Sequence, residues 1–196
     1  MPQLTNIDEV KAALRREAIA RRDAIPAPER AAAAEAIGAR GLPVPVPPVT
    51  LVSGFMPMRS EVNPLPLMRN LAAAGARLAL PVVAGRGRPL ILRAWSFGEP
   101  LARGVWGIQQ PRDTAAEVAP DIMIVPLLAF DRTGHRIGYG AGYYDMTIGA
   151  LRARKPIVAI GIAFAAQEIE RVPATARDAA LDLVLTERDV IDCRGR

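Results

Sequence analysis

The chain has 196 residues, of which 51% are hydrophobic and 23% charged. That length suits one domain, or at most two small ones, and buries roughly 70% of the unfolded surface without a metal or disulfide staple. The composition excludes intrinsic disorder. Lys and Arg number 25 against 20 Asp and Glu, for a net charge of +5. This leans toward an anionic partner without naming one. The single cysteine, Cys193, excludes a disulfide framework within the chain. With one histidine, His135, it also all but excludes a Cys/His zinc cluster. A Ser-His-Asp site would have only His135 as its base.

The N-terminal segment MPQLTNIDEVKAALRRE is charged and helical in pattern, with no apolar signal core. The longest apolar run, 157–166, is about half of what a bilayer requires. The expectation is a soluble, cytoplasmic protein without a membrane partner.

Thr5 and Asn6, with Glu9 three residues after Asn6, resemble a capping box that opens a first helix. Ile7, Val10, Leu14 and Ala18 fall on one face of it, and Lys11 and Arg15 share another. Pro26 ends this helix, and Pro28 opens a second, alanine-rich one that runs to Gly41. The prolines of LPVPVPPV, beginning at 42, forbid helix interior and central strand, so an extended connector is expected over 42–48. It sets off an N-terminal helical extension, 1–41, more than it marks a domain boundary.

Strand and helix patterns then alternate. Residues 49–55 read as a buried strand, and 63–74 as a helix with Gly75 just past its end. RLALPVV and LILRAW follow as strands, and DIMIVPLLAF (121–130) is the strongest central-strand candidate despite Pro126. After a glycine-rich loop come a helix at 143–154, the strand PIVAIGIAF, a short helix at 165–171 and a last strand at 181–186. This alternation predicts a single α/β domain of three layers, with a largely parallel central sheet and helices on both faces.

The densest segment for chemistry is FDRTGHRIGYGAGYYD, 130–145, between a strand and a helix. Ligands of open parallel sheets sit at the carboxyl ends of the strands. Gly138, Gly140 and Gly142 alternate, so the backbone can approach a ligand closely. Free amides at a helix N-terminus favour a phosphate, and Arg136 adds a forked cation. Asp145 could hold Mg²⁺ against phosphate oxygens. A glycine-rich turn without a ligand is the plain alternative, because the spacing fits neither the Walker nor the dinucleotide pattern.

The other candidates have equally plain alternatives. Lys11 and Arg15 could reach a phosphate or could form a solvated basic face. Glu61, after a strand and a tight turn, could pair with ring N–H donors or cap the next helix. Trp106, Met56, Met58 and Tyr143 could make a flat apolar slot, although core packing is the safer reading of each singly. His135 reads as a solvated loop residue, and nothing marks Cys193 as a nucleophile. No basic-aromatic motif of the RNA-binding kind is present, so no nucleic-acid partner is expected.

The chain resembles the 5-formyltetrahydrofolate cyclo-ligase family. The matching pieces are Lys11 and Arg15, FMPMRSEV (55–62), WGIQQP (106–111), DIMIVPLLAFDRTGHRIGYGAGYYD (121–145) and DAALDLVLTE (178–187). The resemblance implies a three-layer α/β fold and a reaction that needs ATP and Mg²⁺. In that family ATP phosphorylates the formyl oxygen of 5-formyltetrahydrofolate, with or without a polyglutamate tail. N10 then attacks the formyl carbon, and the products are 5,10-methenyltetrahydrofolate, ADP and phosphate. By position, Lys11, Arg15, Arg136, Gly138, Tyr139, Gly140, Ala141, Gly142 and Tyr143 would contact ATP, and Asp145 would bind Mg²⁺. Glu61 would anchor the folate head group, and Met56, Trp106, Tyr143 and Tyr144 would line its slot.

Two departures stand out. Tyr139-Gly140-Ala141-Gly142 replaces the Arg-Gly-Lys-Gly of many members, which puts a methyl at 141 where glycine freedom is at issue. Met146 stands where an arginine often follows Tyr-Tyr-Asp. They leave open a folate- or nucleotide-binding regulator with weakened catalysis. A related phosphate-site enzyme with another small substrate is the remaining alternative.

Overall fold

A computed structural model describes residues 7–195. The Thr5–Asn6 capping box lies outside the described residues. Helix α1 (Ile7–Asp23) stops short of Pro26, and α2 (Ala27–Arg40) begins immediately after it, with Pro28 in its first turn. Both prolines sit where a missing N–H costs nothing. Residues 42–48 form no helix or strand. There follow β1 (Leu51–Ser53), α3 (Leu65–Ala73), β2 (Arg77–Val82), β3 (Ile91–Ala94), β4 (Leu101–Arg103), β5 (Gln109–Pro111), β6 (Ile122–Val125), β7 (Ala129–Phe130) and β8 (Arg136–Ile137). The chain ends with α4 (Tyr143–Arg152), β9 (Val158–Ile162), β10 (Leu183–Leu185) and β11 (Val190–Asp192).

Seven strands form the main sheet in the order β11-β10-β9-β6-β1-β2-β3. The five central strands are parallel, and β3 and β11 at the two edges are antiparallel to their neighbours. Connection length explains the mixture. A parallel crossover needs about a dozen residues. The links 83–90 and 186–189 fall short of that, so each can only reverse the chain.

Burial follows the two-residue period of the strands. Ile122 and Ile124 of β6 pack with Val52, Leu80, Ile160, α2 and α3 on one face. Met123 and Val125 pack with Val184 and with Ile148 and Leu151 of α4 on the other. Helix α2 is therefore part of a layer rather than an appendage. Helix α1 belongs to neither layer. Its Ala18 packs with Leu128, Ala129, Ile137 and Val172, beside the β7–β8 hairpin.

Four expectations change. The run at 121–130 is not one strand: β6 ends at Val125, because Pro126 has no N–H for the ladder. Residues 127–130 are apolar because they are buried, Leu128 and Ala129 against Ala18 of α1 and Leu127 and Phe130 against the α4 core. The Gln167 side-chain amide donates to the carbonyls of Leu127 and Leu128 at 2.8 and 3.0 Å. The helix expected at 165–171 is a single 3₁₀ turn, Ala165–Gln167. The strand at 181–186 is followed by β11, and the β4–β5 hairpin was not anticipated.

The chain leaves β1 toward β2 on one side and returns to place β6 on the other. Loops after these two strands therefore diverge and open a crevice between them, the switch point of a doubly wound sheet.

The β7–β8 turn is held from inside. Asp131, 2% exposed, accepts from the backbone N–H of Thr133, His135 and Val172 and from the Thr133 hydroxyl. Burial would raise its carboxyl, but these bonds outweigh it and hold it below its ordinary value. Gly134 in the same turn has φ +88°, and a Cβ there would meet the Leu181 carbonyl oxygen at 2.5 Å. Gly87 has φ +72° but open space around it. Gly87→Ala should thus lose only about 1 kcal/mol of backbone strain, whereas Gly134→Ala adds a backbone collision and should lose about 3 kcal/mol or more. Urea unfolding of the two variants checks the difference.

Candidate functional site

Three loops meet α1 at this end of the sheet. The buried residues of α1 are Lys11, Ala18 and Arg22, so the face turned inward carries cations as well as an apolar contact. Buried cations require partners, and each basic residue finds one on a different loop. Lys11 Nζ donates to both oxygens of Asp178, at 2.8 and 2.7 Å. Arg15 Nε donates to the Gly138 carbonyl at 3.0 Å. Arg22, 1% exposed, donates from Nε to Ser60 Oγ at 3.0 Å and from Nη2 to Tyr139 Oη at 2.7 Å.

The loop after β1 delivers Glu61. Its backbone N–H bonds the Met58 carbonyl at 3.0 Å, and its Oε2 accepts from the Met58 N–H at 2.8 Å, which closes a tight turn. The carboxyl is buried, and desolvation raises it above its ordinary value of 4.5. The Met58 N–H, the Arg22 charge and the Tyr139 hydroxyl only partly offset this. Tyr144 is half-buried nearby. Desolvation and then the Glu61 charge push its phenol up, while Arg136 pulls the other way. Such a perturbed carboxyl in a crevice marks a functional candidate.

The glycine loop connects β8 to α4. Gly140 has φ +99°, and a Cβ on it would come within 3.1 Å of Arg15 Cζ, so glycine is what lets Arg15 close on the loop. Gly142, at φ +69°, forms the left-handed N-cap of α4. Ala141 is exposed and is not among the positive-φ residues, so its methyl strains nothing. Gly138 has open space around it.

Arg136 and Asp145 meet each other. Arg136 Nη2 donates to Asp145 Oδ1 at 2.9 Å. The Ala179 carbonyl accepts from Arg136 Nη1 at 2.5 Å, and the Ala179 N–H donates to the same Asp145 oxygen at 3.0 Å. Asp178, next in sequence, carries the Lys11 pair. Burial would raise the Asp178 carboxyl, but Lys11 and the Thr175 N–H and hydroxyl hold it below its ordinary value.

The aromatic candidates divide. Trp106 sits at the tip of the β4–β5 hairpin with φ 56°, strained for a bulky residue, and is 66% exposed. Core packing is therefore the wrong reading of Trp106; its ring faces Tyr143 with centroids 6.1 Å apart. Met56 instead packs against the α2–α3 core, and Tyr144 against the α4 core. His135 contacts the Thr133 hydroxyl at 2.9 Å, and Cys193 is buried with its thiol toward the Ile191 carbonyl.

Arg22, Ser60 and Asp178 are site residues that sequence reasoning passed over. Arg22 had a legible signal: it lies seven residues beyond Arg15, on the helical face that also carries Lys11. Asp178 opens the DAALDLVLTE piece, but nothing in the sequence pairs it with Lys11, 167 residues away.

Together these features define a doubly wound α/β protein with a cation-lined crevice at its switch point. The profile of the 5-formyltetrahydrofolate cyclo-ligase family matches residues 7–187. The 5-formyltetrahydrofolate cyclo-ligase of Escherichia coli (strain K12) is 33% identical over 153 residues, 74% of this chain and 83% of that protein. That of Mycolicibacterium smegmatis is 33% identical over 147 residues, 70% of this chain and 73% of the relative. The solved structure of Aquifex aeolicus 5,10-methenyltetrahydrofolate synthetase superposes with a TM-score of 0.77 at 29% identity, covering 95% of each chain. The chain belongs to the 5-formyltetrahydrofolate cyclo-ligase family, a family of enzymes. No helix among the described residues is long and apolar enough to cross a membrane.

The raised Glu61 carboxyl has a consequence for stability. A folded-state value above 4.5 means that the unfolded chain ionises first as pH rises. Glu61 thus contributes most below 4.5, and the wild type should lose stability relative to Glu61→Gln as pH climbs from there through the folded value. Denaturant melts of both proteins between acid and neutral pH check the direction; a difference that grows the other way refutes it.

Proposed function

We propose that the protein converts 5-formyltetrahydrofolate to 5,10-methenyltetrahydrofolate, using ATP and Mg²⁺ and releasing ADP and phosphate. The observation that carries this reading is the convergence, in a chain of this family, of four basic side chains with the buried carboxyl of Glu61. Lys11, Arg15 and Arg22 reach the crevice from one helix face, and Arg136 joins them from β8. Relatives are named after the substrate of this conversion, and a solved structure after its product.

In this reading Lys11, Arg15 and Arg136 face the triphosphate. The backbone of Gly138, Tyr139, Gly140, Ala141 and Gly142 cradles it at the N-terminus of α4, where free amides favour anions. The side-chain cations missing from this loop are supplied from α1. Glu61 accepts N–H donors of the folate head group, which its ionised form does best. Tyr143 and the exposed ring of Trp106 border the slot for the flat ring system, while Met56 and Tyr144 back it from the core.

The donor set suits Mg²⁺ held chiefly by nucleotide oxygens. Among the described residues no group of three or more metal-ligating side chains exists, and Asp145 is one partly exposed carboxylate at the mouth of the loop. Mg²⁺ ordinarily takes one or two carboxylates and fills the rest with water and phosphate oxygens. When bound, it would neutralise charge on the transferring phosphoryl group. A formamide oxygen leaves poorly, and as phosphate it leaves well. The γ-phosphoryl passes from ATP to that oxygen, leaving ADP. N10 attacks the formyl carbon, and the C–O bond breaks to release phosphate, which carries off the N10 proton. Nothing here needs a protein nucleophile, so positioning and charge neutralisation suffice.

Purified protein with 5-formyltetrahydrofolate, ATP and Mg²⁺ should develop the near-ultraviolet absorbance of the methenyl product. No change with folded protein and excess ATP sinks the reading. Asp145→Asn should lower kcat by about a hundredfold and raise the Mg²⁺ requirement, with an unchanged circular dichroism spectrum. Wild-type Mg²⁺ dependence would remove Asp145 from the site.

A further inference from the structure

We infer that Arg22 is a positioning residue: one buried guanidinium that locks the loop carrying Glu61 to the glycine loop, and supplies the positive charge that Glu61 faces. This rests on the reading of Glu61 as the anchor of the folate head group.

Arg22 is among the largest fully buried side chains of the protein. Its burial is costly, because a charge taken out of water must be offset by the bonds it makes. It does not sit in a conventional ion pair, since no carboxylate lies within salt-bridge distance of it among the described residues. Its bonds go to neutral oxygens instead: Nε to Ser60 Oγ at 3.0 Å and Nη2 to Tyr139 Oη at 2.7 Å. The Ser60 hydroxyl in turn donates to Asp23 Oδ1. Arg22 Nη1 is buried with no acceptor.

The two partners identify what Arg22 controls. Ser60 immediately precedes Glu61, in the loop after β1. Tyr139 lies between Gly138 and Gly140, in the loop before α4. Its ring also lies under the guanidinium, with Cζ 5.7 Å from the centroid. The guanidinium thus spans the crevice's two walls at the switch point. Its charge favours the ionised form of Glu61 across the same gap, without a direct bond. The other groups around this cluster are Asp23 on α1, Arg59 and Ser60 after β1, Tyr139 in the glycine loop, Tyr144 on α4 and Arg136 on β8. None of them bonds to both loops as Arg22 does.

The test uses the full chain, labelled with ¹³C at the glutamate carboxyl, with the Glu61 resonance assigned by its loss in Glu61→Gln. In Arg22→Gln the Glu61 titration should move up in pH. The acid limb of kcat/KM for 5-formyltetrahydrofolate should move with it, and KM should rise about tenfold, with a smaller change in kcat. Arg22→Lys keeps the charge without the fork, so it should restore the titration while KM for ATP stays about tenfold raised. An unmoved Glu61 titration in Arg22→Gln overturns the electrostatic half. A wild-type KM for both ligands in Arg22→Lys overturns the lock. Should Arg22→Gln fail to fold, Tyr139→Phe removes the acceptor of Nη2 along with the hydroxyl that acts on Glu61, and an unaltered KM for ATP overturns the lock there too. If the wild type does not turn over the folate at all, the proposed reaction fails, but the titration still reads the effect of Arg22 on Glu61.

Discussion

The burial of basic side chains on α1 is the constraint from which the rest of the crevice follows. A cation removed from water must be given partners, and here they come from outside the helix. Lys11, Arg15 and Arg22 are spaced by four and seven residues, so they point the same way. Each draws a separate loop toward the helix: the segment before β10 through Asp178, the glycine loop through Gly138 and Tyr139, and the β1 loop through Ser60. Three segments far apart in sequence are thereby fastened at the carboxyl ends of the strands.

The sheet supplies the place for this fastening. Pro126 stops β6 where the strand would otherwise continue, and the Gln167 amide takes up the carbonyls that the ladder leaves. The chain can then turn back as the β7–β8 hairpin beneath α1, with Asp131 satisfying the turn from inside. A proline that looks like a defect in a strand is what frees the following residues to build the site.

The charges of the crevice are already paired in the protein itself. Arg136 pairs with Asp145, and Lys11 with Asp178. An incoming anion has oriented donors to meet, which reduces the reorganisation that binding requires. The proposed reaction needs neither thiol nor histidine: Cys193 is core, and His135 belongs to a turn. A reaction driven by ATP asks the protein chiefly to orient and neutralise.

The sequence by itself determined the class of fold, because hydrophobic period and connection length are local properties. The alternation of strands and helices, the helix boundaries set by Pro26, Pro28 and Gly41, and the glycine loop ahead of α4 were all legible in it. So was the family, through motifs spread along the chain. It could not decide which candidates meet. Arg136 and Asp145 read as independent ligands of phosphate and metal, and the fold makes them partners. Arg22 shares the helical face of Lys11 and Arg15, but only its burial against Ser60 and Tyr139 shows what it holds. Trp106 read singly as core, and the β4–β5 hairpin holds it in solvent over Tyr143. The net charge of +5 carried no address until the fold showed which cations are buried. The reason is physical: pairing of charges depends on distance in space, and residues as far apart as Lys11 and Asp178 become neighbours only when the sheet brings their segments to one end.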